Sequence, residues 1–154
     1  MIYKITDTIV VDSCGIRILN KNGKPVNCRY TDLKPLEDDD IEKARKYVTL
    51  LSESKTINKN VSSYSLKHRA EDYFKYMGNL KQLKGYDYYV SNGSLIFAMI
   101  EAGFNFCYFN QPDYFTMIAT KKKQDLGYDT SLNVSFNVYI KQLKQYEKLH
   151  KIKY

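Results

Sequence analysis

The chain has 154 residues, of which 44% are hydrophobic and 27% charged, and this predicts one globular domain rather than a disordered chain. No apolar run approaches the roughly 20 residues of a membrane span, and the first residues do not begin a signal peptide, so we expect a cytoplasmic protein with no membrane partner. The 24 basic and 17 acidic side chains give a net charge of +7, which favours an anionic partner.

Three cysteines, Cys14, Cys28 and Cys107, are scattered along the chain and form no CxxC pair. An odd number of isolated cysteines is typical of reduced thiols in a cytosol. With only two histidines beside them, they leave little material for a zinc site, and we expect no metal and no other cofactor.

The first third of the chain is predicted to form β-strands. Residues 8–12 are rich in β-branched side chains, and residues 16–19 form a second extended run after Gly15. Asn22-Gly23 is a strong hairpin-turn signal and predicts a return strand near residues 26–30. We therefore expect residues 1–37 to form an N-terminal β-hairpin region, continuous with an α+β core over residues 38–154.

Three consecutive aspartates, Asp38 to Asp40, are predicted to open the first helix, because carboxylates favour the positive end of the helix macrodipole. The apolar stripe of this helix contains Ile41, Ala44, Val48 and Leu51. A metal site at the aspartates is disfavoured, because consecutive side chains point in different directions and no further ligand is close in sequence. The polar residues 54–61 are predicted to be a linker.

A second helix is predicted to begin at a cap formed by Ser62 or Ser63. Its buried stripe contains Leu66, Ala70, Tyr73 or Phe74, and Met77. Its other face carries Tyr64, Lys67, His68, Glu71 and Lys75, and at least the two lysines are expected to point outward. A basic connection, residues 79–84, follows between Gly78 and Gly85.

A third helix is predicted to begin within Ser91-Asn92-Gly93-Ser94. Residues 95–100 are apolar nearly all round, which is typical of a fully buried helix. Gly103 occupies the position just after the helix, so Phe104 can fold back on Met99.

The last third is predicted to contain antiparallel strands and a short helix. Residues 106–109 and 114–119 are expected to be strands joined by a turn at 110–113, and residues 132–138 alternate strictly between apolar and polar side chains. A basic C-terminal helix presents Ile140, Leu143, Tyr146 and Leu149. The order of elements predicts an α+β fold with an N-terminal β-hairpin, three central helices, antiparallel strands and a short C-terminal helix.

The excess of positive charge lies in the second part of the chain. Residues 1–53 hold nine basic and nine acidic side chains, whereas residues 54–154 hold 15 and eight. Tyrosines interleave with the basic residues of 55–84, and a nucleic acid needs both cations for its phosphates and rings on which its bases can stack. A lysine-rich helix face that is simply exposed to solvent would have the same pattern. Lysine outnumbers arginine by 20 to four, which favours phosphate attraction over base reading. The candidate binding residues are Lys55, Lys59, Tyr64, Lys67, His68, Lys75, Lys81, Lys84, Lys121, Lys122 and Lys123.

Residues with catalytic potential are few. His68 lies between Tyr64 and Glu71 on one helix face and is a possible acid/base group, but an exposed bystander is the favoured interpretation. Cys107 alternates with apolar neighbours and is expected in the core. Ser91-Asn92-Gly93 favours a helix cap over an anion site. No P-loop, GxGxxG or HExxH motif is present, and we predict no catalytic residue.

The second and third helices also suggest a helix-turn-helix, but two observations disfavour it. The 13 residues of 78–90 separate the helices, whereas the usual turn has about three or four. The third helix also presents no arginine, lysine or glutamine to base edges between Ser94 and Ala102.

Several segments together resemble a known group of proteins. They are residues 63–71 (SYSLKHRAE), 89–96 (YVSNGSLI), 102–104 (AGF) and 133–138 (NVSFNV). This pattern resembles the small accessory proteins of bacteriophages and integrative elements of low-GC Gram-positive bacteria, and covers roughly residues 55–138. The resemblance implies a class that contains gene regulators and inhibitors of host defence, including anti-CRISPR proteins, and it carries over no catalytic residue.

The sequence thus predicts a non-enzymatic binding protein acting in the host bacterial cytoplasm. The first hypothesis is an anti-CRISPR-like inhibitor whose basic, tyrosine-rich surface engages a nucleic-acid-handling effector complex, such as a Cas nuclease complex. The alternatives are a DNA-binding transcriptional regulator and, more remotely, a small enzyme that uses His68.

Overall fold

The fold is α+β, as the order of the predicted elements indicates. The computed structural model describes residues 1–28, 30–108 and 132–152. These residues form strands β1 (Tyr3–Lys4), β2 (Ile9–Asp12) and β3 (Gly15–Ile18), helices α1 (Asp38–Val48), α2 (Ser63–Leu80) and α3 (Asn92–Glu101), strands β4 (Phe106–Tyr108) and β5 (Val134–Phe136), and helix α4 (Ile140–Leu149). The turn predicted at 110–113, the strand at 114–119 and the lysines at 121–123 lie outside the described residues.

The N-terminal sheet is antiparallel, in the order β1-β2-β3, and a tight turn at Ser13-Cys14 joins its last two strands. The chain also reverses at Asn22-Gly23, but pairing beyond this turn is limited to a single bridge between Leu19 and Pro25. The predicted return strand at 26–30 is therefore wrong within the described residues.

A side chain replaces that missing strand. The Asn27 amide accepts a hydrogen bond from the Ile18 N–H at 3.0 Å and donates one to the Ile16 carbonyl at 2.7 Å. These are the bonds that a neighbouring peptide group would otherwise supply to the edge of β3.

The two faces of the β2-β3 hairpin differ in chemistry although both are buried. One face places Ile9, Val11, Ile16 and Ile18 in the main hydrophobic core. The other face carries Asp12 and Arg17, whose side chains are fully buried and form an ion pair at 2.7 Å. The Arg17 guanidinium also donates to the Tyr30 carbonyl, so the pair attaches residues 30–34 to the sheet.

Helices α1, α2 and α3 begin where their local signals predict, but α1 ends at Val48, before Leu51, and α2 continues past Gly78 to Leu80. Ser62 caps α2 by accepting a hydrogen bond from the Ser65 N–H, and Ser91 caps α3 through the Ser94 N–H. Gly103, at φ +93°, ends α3, and the Phe104 N–H donates to the Met99 carbonyl at 3.1 Å, which completes a Schellman motif.

Helix α3 lies at the centre of the protein and packs against α1, α2 and the β2-β3 hairpin. Every residue from Asn92 to Met99 is buried and Ile100 is half-buried, so the predicted burial of residues 95–100 is confirmed except at Ile100. The main core combines residues from the N-terminal hairpin with residues from all four helices.

The second sheet pairs β4 with β5, and the alternating pattern of residues 132–138 places Leu132, Val134, Phe136 and Val138 inside. Residues 54–61, predicted to be a linker, instead run along this region, where the Ser54 N–H donates to the Asn137 carbonyl at 2.7 Å.

Cys107 is exposed, so its predicted core position is wrong. Its neighbours Phe106 and Tyr108 turn toward the core instead. In a strand, neighbouring residues face opposite sides, so this orientation of β4 puts Cys107 on the outer side.

The C-terminal helix α4 docks through a polar contact as well as an apolar one. Leu143 is buried as predicted, but Leu149 is exposed, which corrects the predicted stripe. The side chain that turns inward near the end of α4 is Glu147, which forms a buried ion pair with Arg69 of α2. Burial raises the pKa of the Glu147 carboxyl, whereas the Arg69 charge opposes that rise.

Candidate functional site: a tyrosine–lysine cleft beside helix α2

A cleft of about 410 Å³ opens where the first turns of α2 and α3 meet the β2-β3 turn and the residues preceding β5. Seven of its lining residues carry rings, cations or amides: Tyr30, Lys34, Tyr64, Lys67, Tyr89, Asn92 and Asn133. Segments 63–71, 89–96 and 133–138, which are distant in sequence, each contribute to its walls. We call this site the cleft.

Lys67 forms the cationic centre of the cleft and does not point outward as predicted. The residue is only 9% exposed, and its Nζ lies 2.7 Å from Glu71 Oε1. The same Nζ lies 4.8 Å from the ring centroid of Tyr89 and 5.8 Å from that of Tyr64. The prediction of an outward Lys67 was wrong because the chain preceding α3 runs back along α2 and covers this position.

A second cation–aromatic pair forms another wall. Lys34 Nζ lies 4.2 Å from the ring centroid of Tyr30. The buried Asp12 carboxylate holds this wall in place, because it accepts hydrogen bonds from the backbone N–H groups of Lys34 at 3.0 Å and Cys14 at 2.9 Å.

Asn92 at the start of α3 lies at the base of the cleft. Its Nδ2 is 3.1 Å from both the Cys14 carbonyl and Asn133 Oδ1, whereas its Oδ1 is buried and has no hydrogen-bond partner among the described residues. The Gly93 N–H donates to the Ser13 carbonyl and the Ser94 N–H to Ser91. This occupation of the helix N-terminus favours the capping interpretation of residues 91–93 over an anion site.

Two titratable groups that line the cleft, the Cys14 thiol and the Tyr89 phenol, have raised pKa values. Burial raises the pKa of the Cys14 thiol, and the nearby Asp12 raises it further, so the group remains a thiol. Burial also raises the pKa of the Tyr89 phenol, with Asp40 and Glu71 adding to the effect. Glu71, paired with Lys67, is the carboxylate adjacent to the cleft.

The cleft continues into a wider aromatic and basic surface along α2. Tyr86 packs over Gly78, where an added Cβ would lie 3.0 Å from the ring, and Lys75 Nζ lies 6.0 Å from the Tyr88 ring centroid. We define the tyrosine–lysine face as Tyr30, Lys34, Tyr64, Lys67, Lys75, Tyr86, Tyr88 and Tyr89. All five of these tyrosines are exposed.

The segment that bears the last three tyrosines is attached at several points. Lys43 of α1 forms an ion pair with Asp87 at 3.1 Å, and the Tyr89 N–H donates to Asp87 Oδ1. The Val90 N–H donates to Glu71 Oε1 at 3.3 Å. The tyrosine side chains are thus presented on an anchored backbone.

His68 has the partners that the sequence predicts. Its Nδ1 lies 3.0 Å from Glu71 Oε2, and its ring packs edge-on against Tyr64 with the centroids 4.5 Å apart. Glu71 also accepts hydrogen bonds from Lys67 Nζ and from the Val90 N–H, so it holds three parts of this face together. His68 itself lies beside the cleft and is not part of its lining.

The structure groups only some of the predicted binding residues. Tyr64 and Lys67 line the cleft, Lys75 lies on the same face, and Lys81 and Lys84 are exposed beyond the end of α2. Lys59 instead lines a separate groove, together with Lys141, and Lys55 is exposed in the same segment. Lys121, Lys122 and Lys123 lie outside the described residues.

Sequence reasoning missed the residues that other segments bring to the cleft, namely Tyr30, Lys34, Tyr89, Asn92 and Asn133. The dense tyrosines at positions 86, 88 and 89 are the one local signal that could have identified part of this set, since exposed aromatic clusters are uncommon outside binding surfaces.

Other classes of site receive no support from the part of the chain that the structure describes. Within it, no group of three or more His, Cys, Asp or Glu side chains could hold a metal ion. None of the four described helices combines the length and apolarity needed to cross a bilayer. Helix α3 is buried except at Ile100 and Glu101, so it offers no exposed basic or amide side chain to a DNA groove, which disfavours the helix-turn-helix interpretation.

The chain was also compared with protein-family models, curated proteins and solved structures, and none of these comparisons finds a match.

Proposed function

We propose that this chain is a non-enzymatic binding protein whose tyrosine–lysine face engages the nucleic acid of an effector complex, in the manner of an anti-CRISPR-like inhibitor. The observation that carries the proposal is the placement of five exposed tyrosines and three lysines on one face. Cations attract phosphates and exposed rings stack on bases, so this combination fits single-stranded nucleic acid.

The shape and composition of the face favour single strands over sequence reading in a duplex. Direct reading of a major groove requires a protruding helix or ribbon that carries Arg, Asn or Gln. Here the exposed side of α2 is lined by tyrosines of the following segment, and α3 is buried. The alternative of a duplex-binding regulator therefore has less support than binding to unpaired bases.

A salt titration tests the role of the face. The variant Lys75→Glu/Lys81→Glu/Lys84→Glu reverses three exposed lysines on or next to it and leaves the buried Lys67 intact. Each phosphate contact contributes about −0.7 to the slope of log K against log salt for single strands, so we expect the slope to become less negative by about 2. Fluorescence anisotropy with labelled single-stranded DNA, single-stranded RNA and duplex DNA gives the affinities.

The matched control carries the same change of charge elsewhere. Lys21→Glu/Lys46→Glu/Lys141→Glu alters three exposed lysines that lie neither in the cleft nor on the face. If both triple variants lose affinity equally, the net charge and not the face determines binding, and the proposal is wrong. A panel of guide-loaded Cas nuclease complexes tests inhibition separately. If the wild-type protein binds nucleic acid but does not block cleavage by any of these complexes, the proposed inhibition is wrong and the proposed nucleic-acid binding is retained.

His68→Ala separates binding from catalysis. We expect the affinity for single strands to remain within about threefold of wild type, because His68 lies outside the cleft and contributes a ring-edge contact and one hydrogen bond. Anisotropy on the purified variant measures this. An acid/base group typically contributes about 10² to 10⁴ in rate, so a loss of that size in any activity found, with an unchanged melting temperature, would restore the enzyme hypothesis.

A further inference from the structure

The cleft has the size and the chemistry of a small-ligand site rather than of a general polyanion surface. Its volume of about 410 Å³ lies within the range of roughly 300 to 1,000 Å³ that is usual for ligand pockets. Phosphate attraction alone needs exposed lysines, not an enclosed one. An almost fully buried Lys67 between two tyrosine rings therefore calls for a more specific ligand.

The arrangement of rings and cations limits what that ligand can be. Lys67 Nζ lies near the rings of both Tyr64 and Tyr89, so a group that reaches the ammonium also meets two aromatic surfaces. Lys34 and Tyr30 supply a second cation and a third ring on another wall. A ligand that satisfies both features has a flat aromatic part and an anionic part.

The base of the cleft adds polar groups suited to the edge of a ring. Asn92 and Asn133 place amides there beside Ser13 and Cys14. Because the pKa of Cys14 and that of Tyr89 are both raised, neither adds a negative charge that would repel an anion at neutral pH. A purely acidic peptide would pair with the lysines but would have no aromatic group to stack on the three tyrosine rings.

We infer that the cleft binds a single unpaired nucleobase together with its adjoining phosphate. This inference rests on the proposed function. It adds that, within the face that binds a single strand, the cleft is the site that binds one base. The base stacks on the rings of Tyr64 and Tyr89, and the phosphate is held by Lys67 and Lys34. The same chemistry is present in a free nucleoside monophosphate and in an unpaired nucleotide of a strand.

The test uses single-stranded oligonucleotides that carry one 2-aminopurine, a base whose fluorescence is quenched by stacking. We expect binding to quench this fluorescence. Alanine substitution of a stacking ring weakens binding about tenfold, so Tyr64→Ala and Tyr89→Ala should each reduce the affinity by that factor. Both side chains are half-exposed, and melting temperatures check that each variant folds.

Two control variants localise the effect. Tyr139→Ala removes another exposed tyrosine, which lies in a different groove, and it should leave both the affinity and the quenching unchanged. Tyr88→Ala removes a tyrosine of the face that does not line the cleft, so it should weaken the binding of the strand, whereas a saturating concentration of strand should still show the full quenching. Lys34 is exposed, so Lys34→Ala should not disturb the fold. It should weaken the binding of both adenosine monophosphate and the strand.

The ligands themselves separate this inference from the proposed function. A strand of the same length with abasic sites retains every phosphate but no base, and we expect it to bind at least tenfold more weakly than the intact strand. Equal binding of abasic and intact strands would overturn the cleft inference and leave the face as a phosphate-binding surface. If adenosine monophosphate binds but no single strand binds, the cleft inference is supported and the proposed function is wrong.

A chemical footprint gives an independent readout. In a Cys107→Ser background, Cys14 is the thiol that lines the cleft and is partly exposed, whereas Cys28 is buried. Adenosine monophosphate should slow the alkylation of Cys14. An unchanged rate at a saturating concentration of adenosine monophosphate would place the base elsewhere and contradict the inference.

Discussion

Asp12→Ala is expected to lower the free energy of unfolding by about 3 to 5 kcal/mol, the usual cost of removing one partner of a buried ion pair. The Arg17 guanidinium is fully buried and loses its carboxylate, 2.7 Å away, in this variant. The backbone N–H groups of Cys14 and Lys34 lose their acceptor as well. Because small domains are stable by only about 5 to 15 kcal/mol, such a loss leaves a marginal fold.

Urea denaturation of a short series of variants measures this cost. Asp32→Ala removes an exposed carboxylate that lies 3.8 Å from Lys24, and it should cost less than about 1 kcal/mol. Asp12→Leu combined with Arg17→Met removes both charges and should recover much of the stability, because no buried charge is left unpaired. A cost below about 1 kcal/mol for Asp12→Ala alone would show that water reaches Arg17 and that the pair is not buried in solution.

The candidate binding site is connected to this pair. The two backbone groups that Asp12 holds belong to residues lining the cleft, so the ion pair positions one wall of the site. A conservative change, Asp12→Asn, keeps an acceptor oxygen but removes the charge. It should reduce base quenching more than it reduces the attraction of abasic strands, because the remaining face is unaffected.

Features set by local chemistry could be predicted from the sequence. The caps at Ser62 and Ser91 and the glycine that ends α3 depend on hydrogen bonds within a few residues, and each forms as expected. The apolar character of residues 95–100 likewise predicts their burial, whichever elements of the fold pack around them. These signals were sufficient for the fold class.

Features set by distant parts of the chain could not be predicted in this way. A helical stripe placed Lys67 on the outer face of α2, but it carried no information about the tyrosine-bearing segment that returns over that face. The Asn22-Gly23 signal predicted a second strand, whereas the Asn27 side chain took the place of that strand through two hydrogen bonds. Both outcomes depend on tertiary packing rather than on propensity.

The candidate site shows the same division. Tyr64, Lys67 and Lys75 could be selected because they share one helix, whose charge pattern is visible in the sequence. Tyr30 and Lys34 could not, because the buried pair between Asp12 and Arg17 brings them to the cleft, and a single Asp and a single Arg five residues apart carry no recognisable signal.

Gly93→Ala is expected to destabilise the protein by about 3 kcal/mol or more, although alanine normally stabilises a helix relative to glycine by roughly 1 kcal/mol. An added Cβ at this position would lie 1.6 Å from the Asp12 carbonyl oxygen, which is backbone and cannot move aside alone. The start of α3 would have to separate from the β2-β3 turn, and the bond from the Gly93 N–H to the Ser13 carbonyl would break.

Gly78→Ala is the matched control, because it makes the same change within another helix. The atoms nearest to its Cβ would all belong to the Tyr86 side chain, the first at 3.0 Å, and an exposed side chain can shift by the small distance required. We therefore expect Gly78→Ala to change the free energy of unfolding by less than about 1 kcal/mol, with little effect on 2-aminopurine quenching. Gly93→Ala should abolish the quenching even where the variant remains folded, since moving α3 displaces Asn92 from the base of the cleft. Equal stability of the two variants in urea would mean that α3 does not pack against the hairpin as described, and that the cleft between them is not formed.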